Sequence, residues 1–201
     1  THIMPDHQNW YGSMERYVAD KKIIYRNQDK TDYTICNYDD GWGKIFAQET
    51  AGQVFWYSAH PLPPHLLGAW IAPDGSARIR LKAGDDRLLL PPKIAVPGAA
   101  LKQNVMAASL ALALYGVEPR KIPDAMKTYG GIPHRLEFFY ETEQFKFYND
   151  SAATIPEAAA AAVNAFDKPV APTKSSTLPD LRRNLKRQRP CFCLPARVPI
   201  N

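Results

Sequence analysis

The sequence predicts an α/β fold in two pieces, and three observations carry that prediction. Between residues 13 and 129, short strand-like apolar stretches are interspersed with segments of helical period. Gly130 and Gly131 then break the chain behind a helix, where it can hinge. Beyond them, residues 136–147 alternate apolar and polar side chains about a turn at 141–144, the pattern of a hairpin.

Each element follows in order. Thr1-His2-Ile3-Met4-Pro5 reads as the end of a strand entering a loop. Residues 13–25 have helical spacing, with Met14, Tyr17, Val18, Lys21 and Ile24 on one face and Ser13 as N-cap. Strands are expected at 33–37, 54–57, 69–71 and 77–81, divided by the Pro-rich stretch 60–65 and an Asp74-Gly75 turn. Residues 104–115 are apolar on nearly every side, which predicts a helix buried on most faces and ended by Gly116. A more amphipathic helix follows at 123–129. After the hairpin, Thr154-Ile155-Pro156-Glu157 forms a capping box with Pro in the first turn. It opens an alanine-rich helix running to about Phe166, whose N-terminus offers free N–H groups to anions.

Charge is unevenly placed. The formal net charge is +5, yet eight basic residues and one acid (Asp180) lie from Lys168 onward. Residues 1–167 therefore carry a net −2, which argues against nucleic acid as the partner of the globular part. Cys36, Cys191 and Cys193 show neither metal spacing nor an even disulfide framework, and Cys36 reads as a small buried strand residue. No apolar run is long enough to span a membrane and no signal peptide is evident, so a cytoplasmic location is expected.

Two groups of residues invite chemistry. Asp6-His7 sits in the loop before the first helix, and Lys21 lies on that helix's apolar face. A lone histidine is usually structural and such a lysine usually snorkels to water. Alternatively, desolvation disfavours the ammonium, and a neutral amine can take up carbon dioxide as a carbamate. That hard-oxygen anion suits Mg²⁺, with His7 adding an imidazole. The second group is Arg135 and Asp150, which the hairpin brings to one mouth. The pair reads either as a surface salt bridge or as a nucleotide clamp, with the guanidinium on a base and the carboxylate on ribose hydroxyls.

Six strings occur in one order: Met4-Pro5-Asp6-His7, Tyr17-Val18-Ala19-Asp20-Lys21 with Ile24-Tyr25, and Cys36-Asn37-Tyr38-Asp39-Asp40. They continue with Gln103-Asn104-Val105-Met106-Ala107-Ala108, Gly131-Ile132-Pro133-His134-Arg135 and Tyr148-Asn149-Asp150-Ser151. Together they resemble the Mur ligase family. The D-glutamate-adding branch is favoured, because sibling ligases carry other strings at the two hairpin positions. The resemblance implies part of a central ATP-binding domain over 1–130 and the start of a Rossmann-like C-terminal domain at 131–167. A basic, Pro-rich tail, disordered or out of frame, occupies 168–201.

The resemblance also implies an activity. ATP phosphorylates a substrate carboxylate, and an amino-acid amine attacks the acyl phosphate. UDP-N-acetylmuramoyl-L-alanine and D-glutamate are the implied substrates, with neither nucleic acid nor membrane as partner. His7 and a carbamylated Lys21 would be the catalytic Mg²⁺ ligands facing the γ-phosphate. Asn104 and Arg135 would lie near adenine and Asp150 on the ribose of ATP. Metal would neutralise the transferring phosphoryl while the clamps supply orientation.

Departures are specific. Ala100-Leu101 stands where family members often have His-Asn, and Ala152 where a lysine often follows Asp-Ser. No Gly-x-x-x-x-Gly-Lys string occurs, so the 201-residue chain alone is expected to be an inactive fragment. Residues 169–178 can be back-translated in a shifted frame to a Gly-Gly-Thr-Asp-Lys-like string that the family carries, suggesting a frame change near 167–170. Rival functions are a folylpolyglutamate-type amide ligase and a non-catalytic basic adaptor acting through 168–201.

Overall fold

The computed structural model describes residues 3–5, 8–143, 145–153, 156–167, 170–173 and 191–195, with backbone alone for 8, 9, 171–173 and 191–195. The chain divides into two compact units. Residues 1–94 with 103–127 form the first; 95–102 with 128–201 form the second.

In the first unit, α1 (Gln8–Tyr11) precedes α2 (Met14–Lys22). Ser13 caps α2 as expected, its Oγ accepting from the Arg16 N–H at 3.4 Å. Tyr17 and Val18 are buried. The helix then tightens into a 3₁₀ turn over Ile23–Tyr25. A 3₁₀ turn advances about 120° per residue instead of about 100°. Ile24, expected on the buried face, is thereby left 85% exposed, and Tyr25 is turned inward. Its hydroxyl donates to Glu49 Oε2 at 2.7 Å.

Strands β1 (Tyr33–Asn37), β2 (Gln53–Ser58), β3 (Gly68–Ile71), β4 (Ala77–Arg80) and β5 (Asp86–Leu90) form one sheet in that order. The pairs β1–β2 and β2–β3 are parallel; β3–β4 and β4–β5 are antiparallel. Helices α1 and α3 (Gly41–Glu49) and strand β5 were not expected from the sequence. Helix α3 begins where two glycines suggest a loop, and the Asp40 carboxylate caps it by accepting from the Trp42 N–H. Gly43 belongs there because a Cβ would overlap the Asn37 carbonyl oxygen. Strand β5 opens on charges that hide it, yet Leu89 and Leu90 are fully buried.

Helix α4 (Ala99–Leu114) starts before the expected Asn104, with 99–102 in the second unit and the rest in the first. Met106 and Leu110 join Phe55, Ala69, Ile79, Leu89, Leu90 and Ile122 in the core. Helix α5 (Ile122–Met126) ends before the expected Tyr129. Arg80 is held inside by Asp86, by the carbonyls of Pro63 and Leu66, and by the Trp70 ring at 4.6 Å.

In the second unit, β6 (Glu137–Glu141) and β7 (Phe145–Asn149) form the expected antiparallel hairpin, with Glu137 opposite Asn149. Helix α6 (Pro156–Val163) follows and is shorter than expected; Thr154 and Ile155 of the capping box lie outside the described residues. Strands β8 (Ala171–Thr173) and β9 (Cys191–Pro195) complete a sheet of order β6-β7-β9-β8. A small core gathers Leu136 and Ala162 with Leu101, Val163, Ala165, Phe166 and Val170. Among the described residues no helix is long and apolar enough to cross a membrane.

Candidate functional site

The segment leading into β6 is short, and its backbone is unusual. His134 has φ +66° and Leu136 has φ +46°, both in the left-handed region that disfavours residues with a Cβ. Each such residue costs on the order of 1–3 kcal/mol and persists only where its surroundings over-determine it. Here they do. The His134 N–H donates to Glu137 Oε2 at 2.8 Å, and its carbonyl accepts from the Ala152 N–H at 2.9 Å. The Leu136 N–H donates to Asp150 Oδ1 at 3.1 Å. Asn149 Nδ2 donates to His134 Nδ1 at 2.8 Å, and Asn149 Oδ1 accepts from the Ser151 N–H.

Hairpin register explains why these groups meet. Because Glu137 faces Asn149, the residues before β6 face those after β7. Arg135, between the two left-handed residues, is exposed, while Asp150 is only 4% exposed. Of the two readings left open for this pair, the salt bridge is not formed among the described residues. Asp150 is held by a backbone N–H instead, and Arg135 acts on it only through its field. Burial raises the Asp150 pKa; the Leu136 N–H and the Arg135 charge oppose that rise. The arrangement therefore offers an exposed guanidinium beside a recessed carboxylate. It suits a ligand with a flat or anionic face next to hydroxyl donors.

The other residues singled out in the sequence stand apart. His7 lies outside the described residues. Lys21 is exposed rather than desolvated, its Nζ 5.2 Å from the Tyr17 ring centroid. The burial that would turn it into a neutral amine is therefore not supplied by the described residues. Asn104 is exposed on α4 in the first unit. Among the described residues no group of three or more His, Cys, Asp or Glu is placed to hold a metal.

The sequence reading gave no role to His134, Glu137 or Asn149. Only the hairpin register could have signalled them, by setting an asparagine at the end of β7 against a histidine before β6. A second polar cluster sits past the C-terminal ends of the parallel strands β1 and β2. Asp39 accepts from the Ser58 hydroxyl at 2.7 Å and the Ala59 N–H at 2.6 Å, while its own N–H donates to Asn37 Oδ1. Tyr57 lies buried nearby, its hydroxyl pKa raised by burial first and then by Asp40 and Asp39. In open α/β sheets that end is where ligands bind.

Comparison with known proteins adds a different kind of finding. The sequence model of the Mur ligase middle domain matches residues 1–112. The chain is 37% identical over 225 residues to the UDP-N-acetylmuramoylalanine--D-glutamate ligase of Treponema pallidum (strain Nichols), covering 85% of this chain and 42% of that protein. It is 34% identical over 168 residues to the protein of the same name from Thermoanaerobacter sp. (strain X514), covering 84% of this chain and 36% of that one. Among solved structures it resembles MurF from Acinetobacter baumannii, with a TM-score of 0.62 at 19% identity over 82% of this chain and 35% of that chain. A pseudomurein peptide ligase type C from Methanothermus fervidus gives 0.56 at 17%, over 82% and 39%. At such identities the two structures speak for the fold alone. The chain thus spans roughly two fifths of the curated relatives it matches.

Proposed function

This chain belongs to the Mur ligase family, and from that premise we propose that it serves in an ATP-dependent ligase joining D-glutamate to UDP-N-acetylmuramoyl-L-alanine. Support for the substrates comes from the curated relatives, which share the D-glutamate ligase name at 34–37% identity. Residues 1–130 are read as belonging to the central ATP-binding domain and 131–167 to the C-terminal one. The observation that carries the nucleotide part is the tethered segment 134–136, which leaves Arg135 exposed beside recessed Asp150.

In this reading the Arg135 guanidinium stacks on or hydrogen-bonds the adenine, and Asp150 accepts from a ribose hydroxyl. Asp150 Oδ1 accepts from the Leu136 N–H, which orients the carboxylate and leaves it further lone pairs for the sugar. Holding the nucleotide at its base end fixes the direction of its phosphates without touching the reacting atoms. The γ-phosphoryl passes to the alanyl carboxylate, giving ADP and an acyl phosphate. The D-glutamate amine then attacks the acyl carbon, forming the amide and expelling phosphate. For Asn104 as a further adenine contact, the support is the family resemblance alone.

Mg²⁺ on His7 and carbamylated Lys21 belongs to the same proposal. When bound, it would offset charge on the phosphates. Exposed Lys21 is open to carbon dioxide and metal, but the described residues do not assemble a site around it.

The test uses the purified gene product that carries this sequence, with ATP, Mg²⁺ and UDP-N-acetylmuramoyl-L-alanine. Phosphate release that requires D-glutamate and does not occur with L-glutamate is expected. Release with L-glutamate and a folate, or no amino-acid-dependent release, overturns the proposal.

A further inference from the structure

We infer that Asn149, acting through the His134 ring, is a positioning residue that presents Arg135 to the nucleotide; this rests on the nucleotide reading above. Arg135 lies between two non-glycine residues at positive φ, so its direction depends on both neighbours keeping an unfavourable backbone. If His134 relaxes to an extended conformation, the guanidinium swings away from Asp150.

Three of the tethers act on the backbone: Glu137 and Ala152 on His134, and Asp150 on Leu136. Among the described tethers Asn149 is the one that holds a side chain, and it is completely buried at the end of β7. Its amide orientation is set by the Ser151 N–H, which donates to Oδ1 and so turns Nδ2 toward the ring. An amide nitrogen can only donate. The contact therefore forms with a ring whose Nδ1 is free to accept, and it holds that ring in one orientation. Asn149 differs from Asp150 in this respect: it orients the loop, whereas Asp150 is read as touching the ligand itself.

Three forms of the full gene product that carries this sequence separate positioning from general stability: wild type, Asn149→Ala and Ala162→Gly. Ala162 is buried in the core of the same unit and, among the described residues, makes no hydrogen bond to the loop, so its variant controls for destabilisation. Asn149→Ala should raise KM for ATP about ten-fold, the scale of one lost part-buried hydrogen bond, with kcat within about two-fold of wild type. Adding His134→Gly should recover at least about half of that loss, because glycine adopts φ near +66° without the tether. The inference is overturned if Asn149→Ala shifts KM no more than Ala162→Gly does, if kcat falls while KM stays fixed, or if glycine gives no recovery. A wild type without ATP turnover overturns the nucleotide reading and the inference with it. A working wild type whose Asn149→Ala matches the control overturns the inference alone.

Discussion

Gly68 at the start of β3 and His134 before β6 both hold the backbone at positive φ, +146° and +66°. They do so by opposite means. At Gly68 a Cβ would overlap the Trp56 carbonyl of the neighbouring strand, so the sheet demands the one residue without a side chain. At His134 and Leu136, glycine would be easier on the backbone, yet side chains are kept. Leu136 fills the small core of its unit, and the His134 ring receives the Asn149 amide. The first region is fixed by close approach of backbone, the second by polar tethers opposing strain. Each tether contributes only about 0.5–1.5 kcal/mol net, against a strain of similar size. The loop should therefore respond sharply to single changes that leave its sheet intact.

The most damaging change should be Gly68→Ala, which places a Cβ into the Trp56 carbonyl at a φ that alanine rarely adopts. A loss of more than about 4 kcal/mol is expected in urea unfolding; a loss under about 1 kcal/mol would break the contrast between the two regions. At Leu136 the usual ranking should reverse. Both Leu136→Ala and Leu136→Gly empty the same small core, but glycine relieves φ +46°. The glycine variant should be more stable than the alanine variant by about 1 kcal/mol. If alanine is the better residue, strain at this position is not real.

Asp150→Asn sharpens the contrast further. Burial raises the Asp150 pKa, so the folded state binds its proton more tightly than the unfolded chain does. Its contribution to stability is complete below the ordinary carboxylate value and is lost as pH rises through the folded value. Asparagine keeps the oxygen that accepts from Leu136 and has no charge to desolvate. Stability at pH 7 should stay level or rise, while KM for ATP increases. Thermal melts between pH 4 and 7 check this; a large destabilisation at pH 7 would show that the charge itself is needed. The smallest effect belongs to Cys36, whose thiol burial pushes up to about 11. In peptide-resolved mass spectrometry it should alkylate slowly at pH 8 in the folded chain and quickly once unfolded.

Much of the fold was legible because burial imposes periodicity. Strand β1 and the hairpin follow from apolar spacing and Ser13 from its capping chemistry, while the helix around Met106 follows from its apolar run, although it leaves Leu112 and Tyr115 exposed where burial on most faces was expected. Elements that break the pattern were missed. Helix α3 hides behind Gly41 and Gly43, one of which is required by contact with Asn37, and β5 hides behind Asp85, Asp86 and Arg87. At the candidate site, the meeting of Arg135 with Asp150 was legible from hairpin register. The left-handed pair and its tethers were not, since a positive φ at histidine or leucine leaves no mark in sequence. Lys21 shows the converse: helical spacing placed it on an apolar face, but among the described residues that face is too open to desolvate it.

Hydrogen exchange at the Leu136 amide tests the tethered loop most directly. If the Asp150 carboxylate holds the left-handed backbone before any nucleotide arrives, this amide should exchange as slowly as those of β7 in the ligand-free protein. In Asp150→Ala it should exchange at least about ten-fold faster. Exchange at an unprotected rate in the ligand-free wild type would contradict the account, because Arg135 would then have no fixed direction until ligand bound.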